Sequence, residues 1–208
     1  MRSHLFIRGL LVFSWFCLCA DGFAFEIFAL GTSLTNCHGV DRDKIFPVRL
    51  QEILRADGFD ATVVNGGVDG DEPRLMMRRL QAAMNSNTRM VIFEPGGNDA
   101  DKSSNVLYAE KILSYLKEQN VPTIYASIGR IQTTEEGSQT AKKYDAYYYG
   151  HWHKNVPRDG VHYQFDLDPN PHHVNKSHYG HMSAEGCLLV AKNMTPLVEK
   201  ILREKSIR

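Results

Sequence analysis

The residues best suited to chemistry sit in four short turns of small and polar residues. Gly31-Thr32-Ser33-Leu34 sets a hydroxyl directly after an apolar run. Asn65-Gly66-Gly67-Val68-Asp69-Gly70-Asp71 and Pro95-Gly96-Gly97-Asn98-Asp99 offer backbone and amide N–H donors. His178-Tyr179-Gly180-His181 brings imidazoles ahead of a final helical segment. A hydroxyl held at a strand end, a base to take its proton and donors for a developing oxyanion are what acyl transfer requires. An imidazole with an ordinary pKa near ~6.5 takes and returns a proton at neutral pH, which suits His181 to the base.

These turns need a frame, and the chain predicts one. Glu26–Leu30, Ala61–Asn65, Met90–Glu94, Thr123–Ser127 and Ala146–Tyr149 are short apolar or β-branched runs and read as strands. Between them, residues 44–57, a segment opened by Pro73, and residues 103–119 and 135–144 read as helices, and 183–203 closes the chain with another. In the helix opened by Pro73, Leu75, Met76 and Leu80 are expected on one face. Apolar strands separated by amphipathic helices predict a parallel sheet covered on both faces. Right-handed crossovers then put the strand C-termini on one edge, where ligands of such sheets bind. Three of the four turns follow strands, and His181 is expected on a late loop that reaches the same edge.

The first 24 residues read as a secretory signal: Arg2 and Arg8, an uncharged run from Leu10 to Ala20, then Gly22-Phe23-Ala24. That run is 11 residues, too short for a helix to cross a bilayer core, which needs roughly 20. No membrane span is expected after the signal is removed. Residues 25–208 are then one exported domain, periplasmic or secreted, with 22 basic and 23 acidic residues. A net charge of −1 gives no footprint for nucleic acid. Cys37 and Cys187 remain as an even pair in an oxidising compartment, open to a disulfide or to two buried thiols. Seven of nine histidines fall between His151 and His181, but zinc-type spacings are absent, so no metal and no cofactor are expected. Tyr144, Tyr147, Tyr148, Tyr149 and Trp152 form an aromatic cluster, read as core packing ahead of carbohydrate stacking.

The four turns together resemble the sequence blocks of the SGNH hydrolases, the GDSL lipase/esterase family. Gly31-Thr32-Ser33-Leu34 stands for the family's Gly-Asp-Ser-Leu. Asn65 and Gly70, then Gly96-Gly97-Asn98-Asp99, stand for its second and third blocks, and His178-Tyr179-Gly180-His181 stands in part for its Asp-x-x-His. The resemblance covers nearly all of the mature chain. It implies a three-layer α/β/α sandwich with a central five-stranded parallel sheet, the flavodoxin-like SGNH fold. It implies Ser33 as nucleophile, His181 as base, and an oxyanion hole of the Ser33 and Gly70 backbone N–H groups and the Asn98 amide. It also brings Cys37 and Cys187 near each other, each opening a helix beside the site, as a candidate disulfide bracing it. The implied substrates are small acyl esters or thioesters, lysolipids or O-acylated glycans.

Two departures bear on the mechanism. Thr32 replaces the usual Asp of the first block, where a hydrogen-bonding turn residue still serves. His178 occupies the place of the triad acid, and loss of that acid can cost roughly 10⁴ in rate. Three arrangements stay open from sequence. A backbone carbonyl near His178 orients His181, Asp166 or Asp168 swings in from the preceding segment, or the chain is a weakened, non-catalytic binder of acylated or glycan ligands.

Overall fold

β1 (Phe25–Gly31) shows how this sequence builds a layered domain, because its side chains go alternately to two separate cores. Ile27 and Ala29 enter one and Phe28 and Leu30 the other. β3 (Thr88–Phe93) repeats the pattern, with Met90 and Ile92 on one face and Val91 and Phe93 on the other. The computed structural model describes residues 24–166 and 178–207, with 165, 166 and 178–180 described as backbone only. The expected signal segment lies outside the described residues, apart from Ala24.

β2 (Ala61–Gly67), β4 (Thr123–Ser127) and β5 (Tyr147–His151) complete a five-stranded parallel sheet in the order β2-β1-β3-β4-β5. The chain moves outward from β1 to β2 and then returns to β1's other side as β3. The strand order therefore reverses at β1, the point where ligands of such sheets bind. The short α1 (Ser33–Asn36) and then α2 (Phe46–Ala56) follow β1, and α3 (Pro73–Ala83) follows β2. α4 (Lys102–Glu118) and α5 (Thr134–Lys143) follow β3 and β4. A hairpin of β6 (Tyr163–Asp166) and β7 (His178–Met182) leads into α6 (Ala184–Glu204). On one face, Leu50 and Leu54 of α2 share a core with Val190, Met194 and Val198 of α6. On the other, Met76 and Leu80 of α3 share one with Ile112, Leu113 and Leu116 of α4. Each of these side chains is fully or almost fully buried and contributes about 1.5–3 kcal/mol of transfer free energy. Among the described residues no helix is long and apolar enough to cross a membrane.

Three local expectations change. Leu75 is 41% exposed while Met76 and Leu80 are buried, because one residue turns a helix by about 100° and only the i, i+4 pair shares a face. β5 is shifted toward His151. The β6–β7 hairpin was not expected: His-Tyr-Gly-His-Met lacks apolar alternation and holds a glycine, both poor strand signals.

Trp152 and Tyr149 belong to the core. Trp152 is wholly buried and packs edge-on against Phe46 at 4.9 Å. Next to it, His153 lies 5.7 Å from the Tyr163 ring. Burial, aided by the charges of Arg158, His151 and His181, lowers the pKa of His153 to about 4. The unfolded chain therefore takes up this proton at higher pH than the native one. The neutral ring supports the fold above the unfolded value near ~6.5, and that support is lost as pH falls toward about 4. Between pH 7 and pH 5 this one group is expected to cost about 2 kcal/mol. Urea melts at the two pH values should show that much less acid sensitivity in His153→Leu; an equal drop in both proteins would disprove the assignment.

Candidate active site

The first turn is built around a buried acid. Ser33 opens α1, and the Thr32 side chain caps that helix by accepting from the Leu34 N–H at 3.4 Å. Beneath it, Glu94 is fully buried at the end of β3. Its Oε2 accepts from the Thr32 N–H at 3.0 Å, the Thr32 hydroxyl at 2.9 Å and the Thr35 hydroxyl at 3.2 Å. Burial pushes the Glu94 carboxyl up, and the donors of Thr32, Gly96 and Thr35 pull it back only in part. Threonine at position 32 donates a bond to Glu94 that an ionised Asp could not. Gly31 is required by contact: a Cβ there would lie 2.0 Å from Thr35 Oγ1 and 2.8 Å from Glu94 Oε2.

Arg79 ties the second turn to the first. Its guanidinium donates to Asp71 Oδ2 from Nε at 2.9 Å and from Nη2 at 2.5 Å, and Nη1 reaches the Gly66 carbonyl at 2.6 Å. Nη2 also reaches the Gly31 carbonyl, at 3.3 Å. The Asp71 carbonyl in turn accepts from Asn98 Nδ2 at 2.9 Å, so the loops after β1, β2 and β3 are joined. Asn98 keeps a second amide hydrogen. Gly70 has φ +73°, a backbone state that side chains resist, and open space where a Cβ would stand. Among the described residues nothing accepts from the Ser33 or Gly70 N–H groups.

His181 lies on a strand, β7, and not on a loop. Its Nε2 is 3.0 Å from Ser33 Oγ, across 148 residues of chain. Gln164 and a disulfide hold this strand against the Ser33 segment, and Ser183 fixes the turn that follows it. Gln164 Nε2 donates to the Met182 carbonyl and to the His38 carbonyl, each at 2.7 Å. Ser183 caps α6 by accepting from the Gly186 N–H. Cys37 and Cys187 are disulfide-bonded, with Cα atoms 6.4 Å apart. Cys187 sits in the first turn of α6, but Cys37 closes α1 in a left-handed conformation at φ 49° and opens no helix. Asp166 and His178 are cross-strand partners in the hairpin. Their side chains, and all of Asp168, lie outside the described residues.

Sequence reasoning did not single out Glu94, Arg79 or Asp71, since a lone acid after a strand and an Arg eight residues after an Asp carry no pattern. It also missed His38, five residues after Ser33, whose ring centroid is 4.9 Å from that of His181. His38 Nδ1 meets Asp69 Oδ2 at 2.5 Å. No three metal-ligating side chains converge among the described residues. A hollow of about 330 Å³ beside Glu110, Gln132, Glu136 and Lys143 shares no residue with this site.

No family model matches the chain. It is 35% identical over 95 residues to an arylesterase of Vibrio mimicus, a match covering 45% of this chain and 48% of that one. The chain thus spans about half the length of the curated relative it matches. Its structure is similar to that of the psychrotrophic esterase EstA from Pseudoalteromonas sp., with TM-score 0.70 and 17% identity over 86% of this chain and 98% of that one. AlinE4, an SGNH-hydrolase family esterase, gives 0.60 and 21% over 87% and 98%. TesA gives 0.66 and 16% over 85% and 99%. In fold the chain is similar to these proteins, one of them an SGNH-hydrolase family esterase, and the four sequence blocks that resemble that family stand in order at the strand ends and ahead of α6.

Proposed function

We propose that the protein is an exported serine ester hydrolase that forms an acyl-enzyme on Ser33. The observation that carries this reading is the 3.0 Å approach of His181 Nε2 to Ser33 Oγ. At that distance the imidazole takes the hydroxyl proton as Oγ attacks an ester carbonyl. The carbonyl oxygen becomes an oxyanion and is met by the Ser33 N–H, the Gly70 N–H and the second Asn98 amide hydrogen. The tetrahedral intermediate collapses, and the imidazolium returns its proton to the departing alkoxide. Water then repeats the attack on the acyl-enzyme, with His181 again as base, and releases the acid. The fold shared with esterases supports an ester substrate, as does the arylesterase match. Within that class the reading covers small acyl esters, thioesters, lysolipids and O-acyl groups on glycans.

An activated nucleophile is stoichiometrically trapped by a phosphonate ester. Intact mass of the treated protein should rise by one adduct, mapped by peptide analysis to Ser33. A protein that stays unlabelled, while binding acylated ligands unchanged, is a binder and no enzyme. Asn98→Ala is expected to lower kcat by roughly 10²–10³ with a small change in KM, because its amide acts on charge that exists only in the transition state. An equal loss in kcat and in substrate affinity would remove Asn98 from the oxyanion hole.

Export belongs to the same proposal. A chain that loses residues 1–24 and matures in an oxidising compartment accounts for a Cys37–Cys187 bond. The mass of protein recovered from outside the cytoplasm should correspond to a chain beginning at Phe25.

A further inference from the structure

His181 meets a hydrogen-bonded His–Asp pair that comes from outside its own hairpin. His38 follows the nucleophile's helix, and its ring lies 4.9 Å from the His181 ring at an interplanar angle of 46°. Behind His38, Asp69 Oδ2 is 2.5 Å from its Nδ1. Asp69 is fixed at its other oxygen, where Oδ1 accepts from Asn36 Nδ2 at 2.8 Å. Asn36 is itself buried and held, its Oδ1 accepting from Asn65 Nδ2 at 3.0 Å and from Arg42 Nη1 at 2.6 Å. Gln164 completes the assembly by bonding the His38 carbonyl and the base's own strand at once. The carboxylate thus stands one imidazole away from the base, and the charge of His181 is among those that act on it.

We infer that Asp69, fixed by Asn36 and carried to the base by His38, is a positioning carboxylate that supports the His181 imidazolium from outside the hairpin. The inference rests on the catalytic reading of Ser33 and His181. Its chemical content is electrostatic. Each acylation and each deacylation makes an imidazolium, and an anion nearby lowers the energy of that state. Asp69 is ionised when this matters. Burial pushes its carboxyl up, but the hydrogen bonds from Asn36 and His38 and the charges of His38 and His181 outweigh burial and leave it below its ordinary value. The pair also gives a use to a residue in the second block that serves neither the nucleophile nor the oxyanion. Among the described residues, the groups around the base include Ser33 and His38 from the α1 segment, Asp69 from the β2–α3 loop and His153 from the segment after β5. His178 and Asp166 share its hairpin, and Arg42 stands behind Asn36.

The test is the pH dependence of kcat/KM for a short acyl nitrophenyl ester, measured for parent, Asp69→Asn and Asp41→Asn. Asp41 is exposed, pairs with Lys44 and lies on the same segment as His38, so its variant controls for net charge. Asp69→Asn is expected to move the acid limb of the profile down by about 0.5–1 pH unit and to lower the plateau roughly threefold to tenfold. Because Asp69 and His38 are partly solvated, with side chains 41% and 51% exposed, the displacement should shrink in 0.5 M salt. Asp41→Asn should follow the parent profile. An acid limb that stays in place in Asp69→Asn overturns the inference, as does a displacement that salt leaves unchanged. Phosphonate labelling of the parent separates the two levels. If the parent is labelled and Asp69→Asn shows no displacement, only this inference fails. A parent that takes no label overturns the catalytic reading and the inference with it.

Discussion

Ser33→Ala is expected to lower ester hydrolysis by roughly 10⁴-fold or more and to abolish phosphonate labelling. The size follows from the role. Without Oγ there is no covalent intermediate, and His181 can only activate a water that nothing holds in place. What remains is the contribution of the oxyanion donors and of substrate binding. His181→Ala should cost a similar factor, because an unassisted serine hydroxyl is a weak nucleophile at neutral pH. The double variant should be hardly worse than either single one, since the two groups act as a unit. Initial rates on a nitrophenyl acetate or butyrate, with each variant's melting curve alongside, decide the matter. Hydrolysis by Ser33→Ala at the parent rate would mean that the 3.0 Å contact between Nε2 and Oγ is structural only.

The second large effect concerns stability. Cys37→Ala/Cys187→Ala, or reduction of the bond, releases a cross-link between residues 150 apart. Chain entropy alone assigns a loop of that size roughly 5 kcal/mol, and measured losses of native disulfides run about 2–5 kcal/mol. For a chain of this length each kcal/mol moves the melting temperature by about 2–4 °C, so a fall on the order of 10 °C is expected. The position of the bond adds a catalytic consequence. Cys37 lies four residues beyond Ser33, and Cys187 six beyond His181. The disulfide therefore fastens the helix that begins at Ser33 to the start of the helix that follows His181. Activity in the variant should fall further than the unfolded fraction explains, with kcat affected more than KM. Equal melting curves with and without dithiothreitol would show that the bond contributes nothing to the native state.

Glu94 shows most directly where reading the sequence stops. A glutamate between Phe93 and Pro95 looks like the solvated end of a strand. Folding places it under the Ser33 turn, where three N–H and O–H donors reach one of its oxygens. Thr32 gains its meaning only there, as the residue that donates two hydrogen bonds to Glu94 Oε2. Arg79 is similar, a residue on an exposed-looking helix face whose guanidinium closes the loop after β2 through Asp71 and the Gly66 carbonyl.

What the sequence determined by itself was whatever depends on neighbours in the chain. The alternation of apolar runs and amphipathic helices determined the parallel sheet, because side-chain periods of two and 3.6 are local properties. The glycine-rich turns determined which loops line its edge, since positive φ and close backbone approach are also local demands. The tertiary structure alone decided the distances across the chain: 148 residues between Ser33 and His181, 150 between the cysteines and 31 between His38 and Asp69. Such contacts come from packing two cores against one sheet, and no short window of sequence encodes them. The hairpin that carries His181 was also decided there. Its strands are too short and too polar to announce themselves, and its described side chains meet distant parts of the chain, Gln164 at the His38 carbonyl and His181 at Ser33.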